Sequence, residues 1–178
     1  QAVGSTSPLA NLTTDASGAT AIDTPAIHAA VVTLNDSVAI SVTSAITAAE
    51  ITFGGGADSV AGSVGLRLVP ATDSADIVLG GTSDSGTSVL DLTDSDLLAL
   101  ANGFTSIIIG DEINGTGTIT LDSATVPGNV NIFGATINDL SGTDLTVPSV
   151  TFGANVAPGA SVGTLVIDGD LVFPDDSS

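Results

Sequence analysis

Short runs in which apolar and polar residues alternate are the dominant pattern along the chain. Apolar side chains two positions apart are typical of a β-strand with one buried face. Such runs occur at residues 38–42, 64–68, 77–79, 89–92, 107–109, 118–121, 130–133, 145–147, 150–152, 165–167 and 171–173. Gly, Asn, Asp or Ser residues separate them, and helical spacing is scarce. The pattern therefore predicts an all-β protein.

The spacing of these runs says more about the fold than their number does. The intervals are 11 residues from Leu66 to Ile77, 13 from Ile77 to Leu90, 12 from Ile107 to Ile119 and 11 from Ile119 to Val130. Two such steps make roughly 20 to 25 residues, which is typical of one coil of a β-solenoid. Evenly spaced strands also occur in a β-sandwich, which is the alternative fold. We expect a β-solenoid of about 7–9 coils.

One segment in the middle of the chain departs from the strand pattern and predicts one or two helical turns. Thr93 or Asp94 can cap the start of the helix, and Gly103 can close its end in the left-handed conformation. Leu97 and Leu100 are then expected to pack over the core. We interpret the segment as a local loop or lid on the solenoid wall.

The pattern divides the chain into three parts. Residues 1–30 are rich in Ser, Thr and Ala and contain Pro8 and Pro25, so they are expected to form an N-terminal cap, a first coil or a linker. Residues 31–173 carry the regular runs and are expected to form the solenoid. Residues 174–178 are interpreted as a C-terminal linker stub. Open end coils expose strand edges, which favours self-association end to end or contact with neighbouring domains of a longer chain.

Charge and composition narrow the range of partners. The 178 residues include 20 Asp or Glu, one Arg, one His and no Lys, giving a formal net charge of −19. Nucleic-acid binding and docking on an anionic membrane surface both need several basic residues, so neither is expected. No apolar stretch has the roughly 18 residues of a membrane span, so membrane insertion is not expected either. A hydrophobic content of 43% nevertheless allows a buried core.

The acidic residues are candidate metal ligands. Because the chain has no Cys, only oxygen-rich sites remain, and these favour hard cations, chiefly Ca²⁺. The candidate groups are Asp73, Asp76 and Asp84; Asp91, Asp94 and Asp96; and Asp168 with Asp170. None has the spacing of a helix–loop–helix Ca²⁺ site. For each group, solvated carboxylates at solenoid corners are the simpler interpretation.

No catalytic constellation emerges from the sequence. Polysaccharide lyases and hydrolases do use β-helices, and paired carboxylates can act as acid and base. A lyase for acidic sugars needs cationic groups, whereas Arg67 is the one Arg here and a net charge of −19 repels anionic substrates. His28 has no Ser or Asp partner at a recognisable spacing and is expected at the surface. Arg67 is expected to point outward and pair with an Asp of a neighbouring coil.

Two stretches resemble repeats of bacterial surface proteins. Residues 92–110, followed by residues 114–121, resemble a repeat of large exoproteins of the filamentous-haemagglutinin type. Residues 155–171 resemble the passenger-associated repeat of autotransporter adhesins, with its Pro-Gly-x-Ser-x-Gly-x-Leu core and Gly-Asp-Leu ending. Both families are secreted and build right-handed parallel β-helices, so the resemblance implies an extracellular β-solenoid. It implies no ligand and no functional residue.

The expected function is therefore a structural one. We expect a non-enzymatic, extracellular β-solenoid segment of a bacterial cell-surface protein that serves as a rigid spacer and an adhesive contact surface. Host-surface or matrix glycans and proteins are the expected partners. One alternative is a self-assembling subunit of an extracellular filament or sheath. A second alternative is a carbohydrate-active β-helix enzyme.

Overall fold

The computed structural model describes residues 1–139, 145–153, 155–157 and 170–172. Nearly all of its secondary structure is β-strand. The strands are β1 (Leu9–Thr13), β2 (Ala19–Ile22), β3 (Ala26–Leu34), β4 (Ser37–Ile40), β5 (Ser44–Ala48), β6 (Glu50–Phe53), β7 (Val60–Gly62), β8 (Gly65–Pro70), β9 (Ile77–Gly80), β10 (Leu90–Leu92), β11 (Ser106–Gly110), β12 (Thr118–Asp122), β13 (Val130–Phe133), β14 (Thr136–Asp139), β15 (Ser149–Phe152), β16 (Asn155–Ala157) and β17 (Asp170–Val172). A short 3₁₀ turn (Gly86–Ser88) precedes β10, and helix α1 (Asp94–Ala99) follows it.

The strands stack into three walls, and the pairs within each wall are parallel. The first wall runs from the first half of β3 through β5, β8, β11, β13 and β15 to β17. The second wall holds β1, the second half of β3 and β6, and then β10, β9, β12, β14 and β16. The third wall holds β2, β4 and β7, and a bridge between Val60 and Leu100 extends it. The chain is therefore a β-solenoid of about seven coils.

In-register stacking of apolar side chains builds the core. In the first wall each inward residue lies above its equivalent in the previous coil, and the stack consists of Ile27, Ile46, Leu68, Ile109, Ile132 and Phe152. None of the six is more than 3% exposed. Burying a side chain of this size contributes about 1.5–3 kcal/mol, so the stack supplies much of the drive for folding.

One coil is twice as long as the others. Positions of the first-wall stack are 19 residues apart between Ile27 and Ile46 and 23 apart between Ile109 and Ile132, but 41 apart between Leu68 and Ile109. After β9 the chain leaves the second wall and turns back towards β6. It then rejoins the second wall as β10, which lies between β6 and β9. The second wall thus gains a strand that the first wall lacks.

The structure confirms the β-solenoid and differs from the sequence prediction in one interval. The steps from Leu66 to Ile77 and from Ile107 to Ile119 run from the first wall to the second, as a repeat of two steps per coil requires. The 13-residue step from Ile77 to Leu90 instead returns to the same wall, where the two residues are partners in register. All strand pairs among the described residues are parallel, which rules out the β-sandwich alternative.

The predicted helical turns form α1. Thr93 is the N-cap and forms a capping box with Asp96, while Leu97 and Leu100 are fully buried. The helix ends at Ala99, with Leu100 as its C-cap, so the predicted closing residue Gly103 lies beyond it. Among the described residues, no helix is both long and apolar enough to cross a membrane.

Gly80 offers a test of the turn at which the additional residues begin. Its φ is +93°, and a Cβ there would overlap the carbonyl oxygen of Asp122 in the adjacent strand β12. Gly18 has a similar φ of +110° but open space around its missing side chain. We expect Gly80→Ala to lower the free energy of unfolding by at least about 3 kcal/mol and Gly18→Ala by about 1 kcal/mol, the cost of left-handed backbone alone. Urea denaturation of both variants measures the difference, and equal losses would contradict the close approach.

Candidate functional site

The candidate site lies where the second wall is interrupted. Strand β6 lies beside β10, but the two strands form no ladder, and we call this boundary the seam. Ile51 and Phe53 of β6 are buried in the core, so strand alternation directs Glu50 to the outer face of the wall. Asp91 occupies the equivalent outward position in β10, between the buried Leu90 and Leu92. Two acidic side chains therefore meet on the outer face of the seam.

Residues 81–89 connect β9 to β10 and form the covering loop, which lies beside these two carboxylates. Glu50 is 7% exposed and Asp91 is 2% exposed, although both point away from the core. The Ser85 backbone N–H donates a hydrogen bond to Asp91 Oδ2. Asp84, also in the loop, is exposed and accepts a hydrogen bond from the Gly86 N–H at 2.8 Å. The loop thus brings a third carboxylate to the seam.

Glu50, Asp84 and Asp91 form the acidic cluster. One carboxylate oxygen from each residue lies within 4.8 Å of the other two. Burial raises the pKa of Glu50 to about 7, and the negative charges of Asp84, Asp91 and Asp96 act in the same direction. Glu50 Oε2 is fully buried and has no hydrogen-bond partner. The cluster is an arrangement of oxygen ligands that could hold a metal ion.

Asp36 shows how the same fold satisfies a buried carboxylate. It is 6% exposed, and each of its oxygens accepts a hydrogen bond of 2.7 Å, one from the Thr14 hydroxyl and one from the Thr20 hydroxyl. These hydrogen bonds hold the pKa of Asp36 below its usual value. Glu50 has the opposite environment, because acidic groups surround it and one of its oxygens has no donor.

The structure rearranges the carboxylate groups that the sequence suggested. It brings Asp84 and Asp91, from two different predicted groups, together with Glu50. Asp96 caps helix α1 instead: its Oδ2 accepts the Thr93 N–H at 3.0 Å and its Oδ1 accepts the Phe53 N–H at 2.7 Å. These two hydrogen bonds place Asp96 at the start of α1, outside the acidic cluster.

The remaining candidates lie outside the acidic cluster. Asp76 Oδ1 accepts the Thr118 N–H at 2.8 Å at the start of β12, while the exposed Asp73 accepts the Thr116 N–H at 2.6 Å through its backbone carbonyl. Burial raises the pKa of Asp94, which belongs to the first turn of α1. Of the predicted pair at the C-terminal end, Asp168 lies outside the described residues and Asp170 begins β17.

Glu50 is absent from the predicted ligand groups. Those groups join acids that are close in sequence, whereas the cluster joins residues 34 and 41 positions away from Glu50. A signal does exist, since the chain has just two Glu residues and Glu50 interrupts the alternating run at residues 45–53. A charged residue within a strand run marks either an outward position or a buried group with a special partner.

Arg67 and His28 occupy the positions expected of surface residues. Arg67 Nη2 lies 3.5 Å from Oε2 of Glu112, on the next coil, so its partner is a Glu and not the expected Asp. Both side chains are partly exposed, and such a pair contributes about 0–1 kcal/mol. His28 lies in β3, half-buried, beside a cavity of about 300 Å³. Neither residue contributes to the acidic cluster.

Comparisons of the chain with protein-family models, with curated proteins and with solved structures found no match. The resemblance to surface exoproteins and autotransporter adhesins therefore stays a prediction. Its first motif folds as the end of β10, helix α1 and strands β11 and β12. Residues 158–169 of its second motif lie outside the described part of the chain.

The raised pKa of Glu50 predicts a pH-dependent stability. Between its usual pKa of 4.5 and about 7, Glu50 holds a proton in the folded state that it releases on unfolding, so the free energy of unfolding falls as pH rises through this window. We expect metal-free protein to lose on the order of 2–3 kcal/mol between about pH 5 and pH 7.5, and Glu50→Gln to lose much less.

Thermal unfolding in a chelator measures this effect, and Glu112→Gln is the matched control because Glu112 is half-exposed and paired with Arg67. The control should keep the slope of the unmodified protein. Asp94 and Asp96 also have raised pKa values, so a small slope should persist in Glu50→Gln. Equal slopes in the two variants would contradict the assignment to Glu50.

Proposed function

We propose that this chain is a non-enzymatic, extracellular β-solenoid segment of a bacterial cell-surface protein, where it acts as a rigid spacer and an adhesive contact surface. The observation that carries the proposal is the continuous stack of parallel coils. Each coil is hydrogen-bonded to the next along the first wall from β3 to β17. Such a stack resists bending and stretching along its length, because every coil is fixed to both neighbours.

The outer face of the first wall has the character of a contact surface. Its outward positions are stacked in register and half-buried by their neighbours, and they are Ala45, Arg67, Ile108, Asn131 and Thr151. They form a row of mostly uncharged side chains in a protein whose net charge is −19. Because this face is weakly charged, it can contact a glycan or protein partner that the acidic remainder of the surface would repel.

The sequence motifs support the surface location. Residues 92–110 followed by 114–121 resemble a repeat of secreted exoproteins, and residues 155–171 resemble a repeat of autotransporter passengers. The first motif coincides with the helix-containing coil that distinguishes this solenoid from a plain stack. Its capping box and buried leucines are scaffold features, so the motif agrees with a structural role.

Location is the property to test first. Antibodies against the purified chain should label intact cells of the producing bacterium, and external protease should remove the signal. Antibodies against a cytoplasmic protein provide the control for cell integrity. Labelling that appears only after permeabilisation would overturn the proposal.

A second candidate function, self-assembly into a filament, is favoured by the open end of the first coil. There, a cavity of about 370 Å³ is lined by apolar side chains that include Val3, Leu12, Ile22, Ile27 and Leu34. The outer edge of β1 has no paired strand among the described residues, and most of that strand is exposed. An open coil of this kind can accept a parallel strand from a second copy of the chain.

A charge placed in the open end should weaken such association. Val3, which is 37% exposed, lines the cavity, whereas Ile113, which is 82% exposed, lies in a loop on the side of the solenoid. If the chain associates through this end, we expect Val3→Asp to shift it towards monomer by at least about tenfold in dissociation constant, because association would bury an unpaired carboxylate. Ile113→Asp should leave association unchanged. Sedimentation velocity over a concentration series measures both, and a monomer at all concentrations would exclude this second function.

A further inference from the structure

We propose that Glu50, Asp84 and Asp91 form a binding site for Ca²⁺, which ties the covering loop to both sides of the seam. This inference does not depend on the cell-surface role, and either can fail without the other. It concerns a place in the fold where three carboxylates from separate segments converge and where backbone pairing is interrupted.

The buried, unpartnered oxygen of Glu50 is the observation that points to a ligand. A fold this regular can satisfy a buried carboxylate with hydroxyl donors, as it does at Asp36. At Glu50 it supplies no donor to Oε2 and places two further carboxylates within 4.8 Å. Leaving a buried polar atom unpaired is costly, and a cation bound between the three carboxylates would supply the missing partner.

Protein side chains do not supply that partner. Arg67 is the one Arg, the chain has no Lys, and Arg67 is paired with Glu112. The nearby charges that act on Glu50 are those of Asp84, Asp91 and Asp96, all of which are negative. Three converging carboxylates without a basic residue match a doubly charged cation from solution in both charge and ligand type.

The geometry suits Ca²⁺. Because Ca²⁺ binds oxygen at about 2.3–2.6 Å, two of its ligands can lie up to about 5 Å apart. The three carboxylate oxygens all lie within 4.8 Å of one another, so small side-chain shifts at most would let them share one ion. Asp84 is exposed and opens the site to solvent, which allows the ion to enter and water to complete its coordination. Mg²⁺ demands a smaller, near-ideal octahedron and loses its water reluctantly, so it suits a site built partly from a loop less well.

A bound ion would replace the missing ladder at the seam. Glu50 belongs to β6, Asp91 to β10 and Asp84 to the covering loop, so a shared ion joins three segments that backbone hydrogen bonds leave apart. The ion would also remove the repulsion among the carboxylates. Ca²⁺ should therefore stabilise the covering loop more than it stabilises the stacked strands on either side.

Calorimetric titration of the metal-free protein with CaCl₂ tests the site. In about 150 mM NaCl, which screens diffuse attraction to the acidic surface, we expect saturable binding of one ion. Asp84→Asn and Glu50→Gln should each weaken it by at least about tenfold, since each removes a charged ligand. Asp73→Asn is the matched control, because it removes one exposed carboxylate outside the cluster, and it should bind Ca²⁺ unchanged. MgCl₂ should bind more weakly than CaCl₂.

Hydrogen exchange locates the ion independently of affinity. Ca²⁺ should slow the exchange of backbone amides in residues 81–92 and leave residues 9–22 unaffected, and Asp84→Asn should abolish the difference without unfolding the protein. Weak, unsaturable heat in the unmodified protein, or an equal loss of affinity in Asp73→Asn, would show diffuse association with the acidic surface only and would overturn the proposal. Equal affinity for Mg²⁺ would overturn the choice of Ca²⁺.

Discussion

The rest of the structure depends on the register between successive coils. Parallel pairing places each inward side chain directly above its equivalent one coil earlier, so the core consists of columns of like residues, such as the one from Ile27 to Phe152. A slip of one residue would turn every apolar side chain of a strand outward. The small residues at the turns follow from this constraint, because coils can remain in register only where the corners allow close approach. The chain is therefore free to vary in its loops and restricted in its walls.

The helix-containing coil shows how the protein accommodates additional sequence without losing that register. The first wall continues from β8 to β11 as if nothing had been inserted, while the second wall takes up β10. Within the described part of the second wall, the ladder is broken between β6 and β10. Asp96 joins the two sides by bonding both Thr93 and Phe53, and the carboxylates of the acidic cluster gather on the outer face. The boundary between β6 and β10 thus holds both a buried hydrogen bond, from Phe53 to Asp96, and a buried carboxylate oxygen of Glu50 that lacks a hydrogen-bond partner.

Much of the fold could be predicted from the sequence, because β-strand alternation and coil length are local properties. The runs around Leu66, Ile107 and Val130 all form strands of the first wall, and residue type alone narrows the helix cap to Thr93 or Asp94, of which Thr93 is the N-cap. The interval from Ile77 to Leu90 resembles any other step, however, and nothing local shows that the chain turns back there. The same limit explains the acidic cluster: a set of ligands drawn from residues 50, 84 and 91 exists only once the return of β10 is known. Asp96 is grouped with Asp94 by proximity in sequence, whereas its hydrogen bond to the distant Phe53 exists only in the folded chain.

The additional strand also has a consequence for the axis of the molecule. Between β5 and β11, the first wall contains one intermediate strand, β8. Over the same interval, from β6 to β12, the second wall contains two intermediate strands, β10 and β9. Since neighbouring strands are about 4.8 Å apart, the second wall is longer than the first by about that amount over the same interval. The inserted strand therefore requires either that the solenoid axis bends towards the first wall or that β6 and β10 lie further apart at the seam. A single inserted strand can therefore set the direction of the solenoid axis.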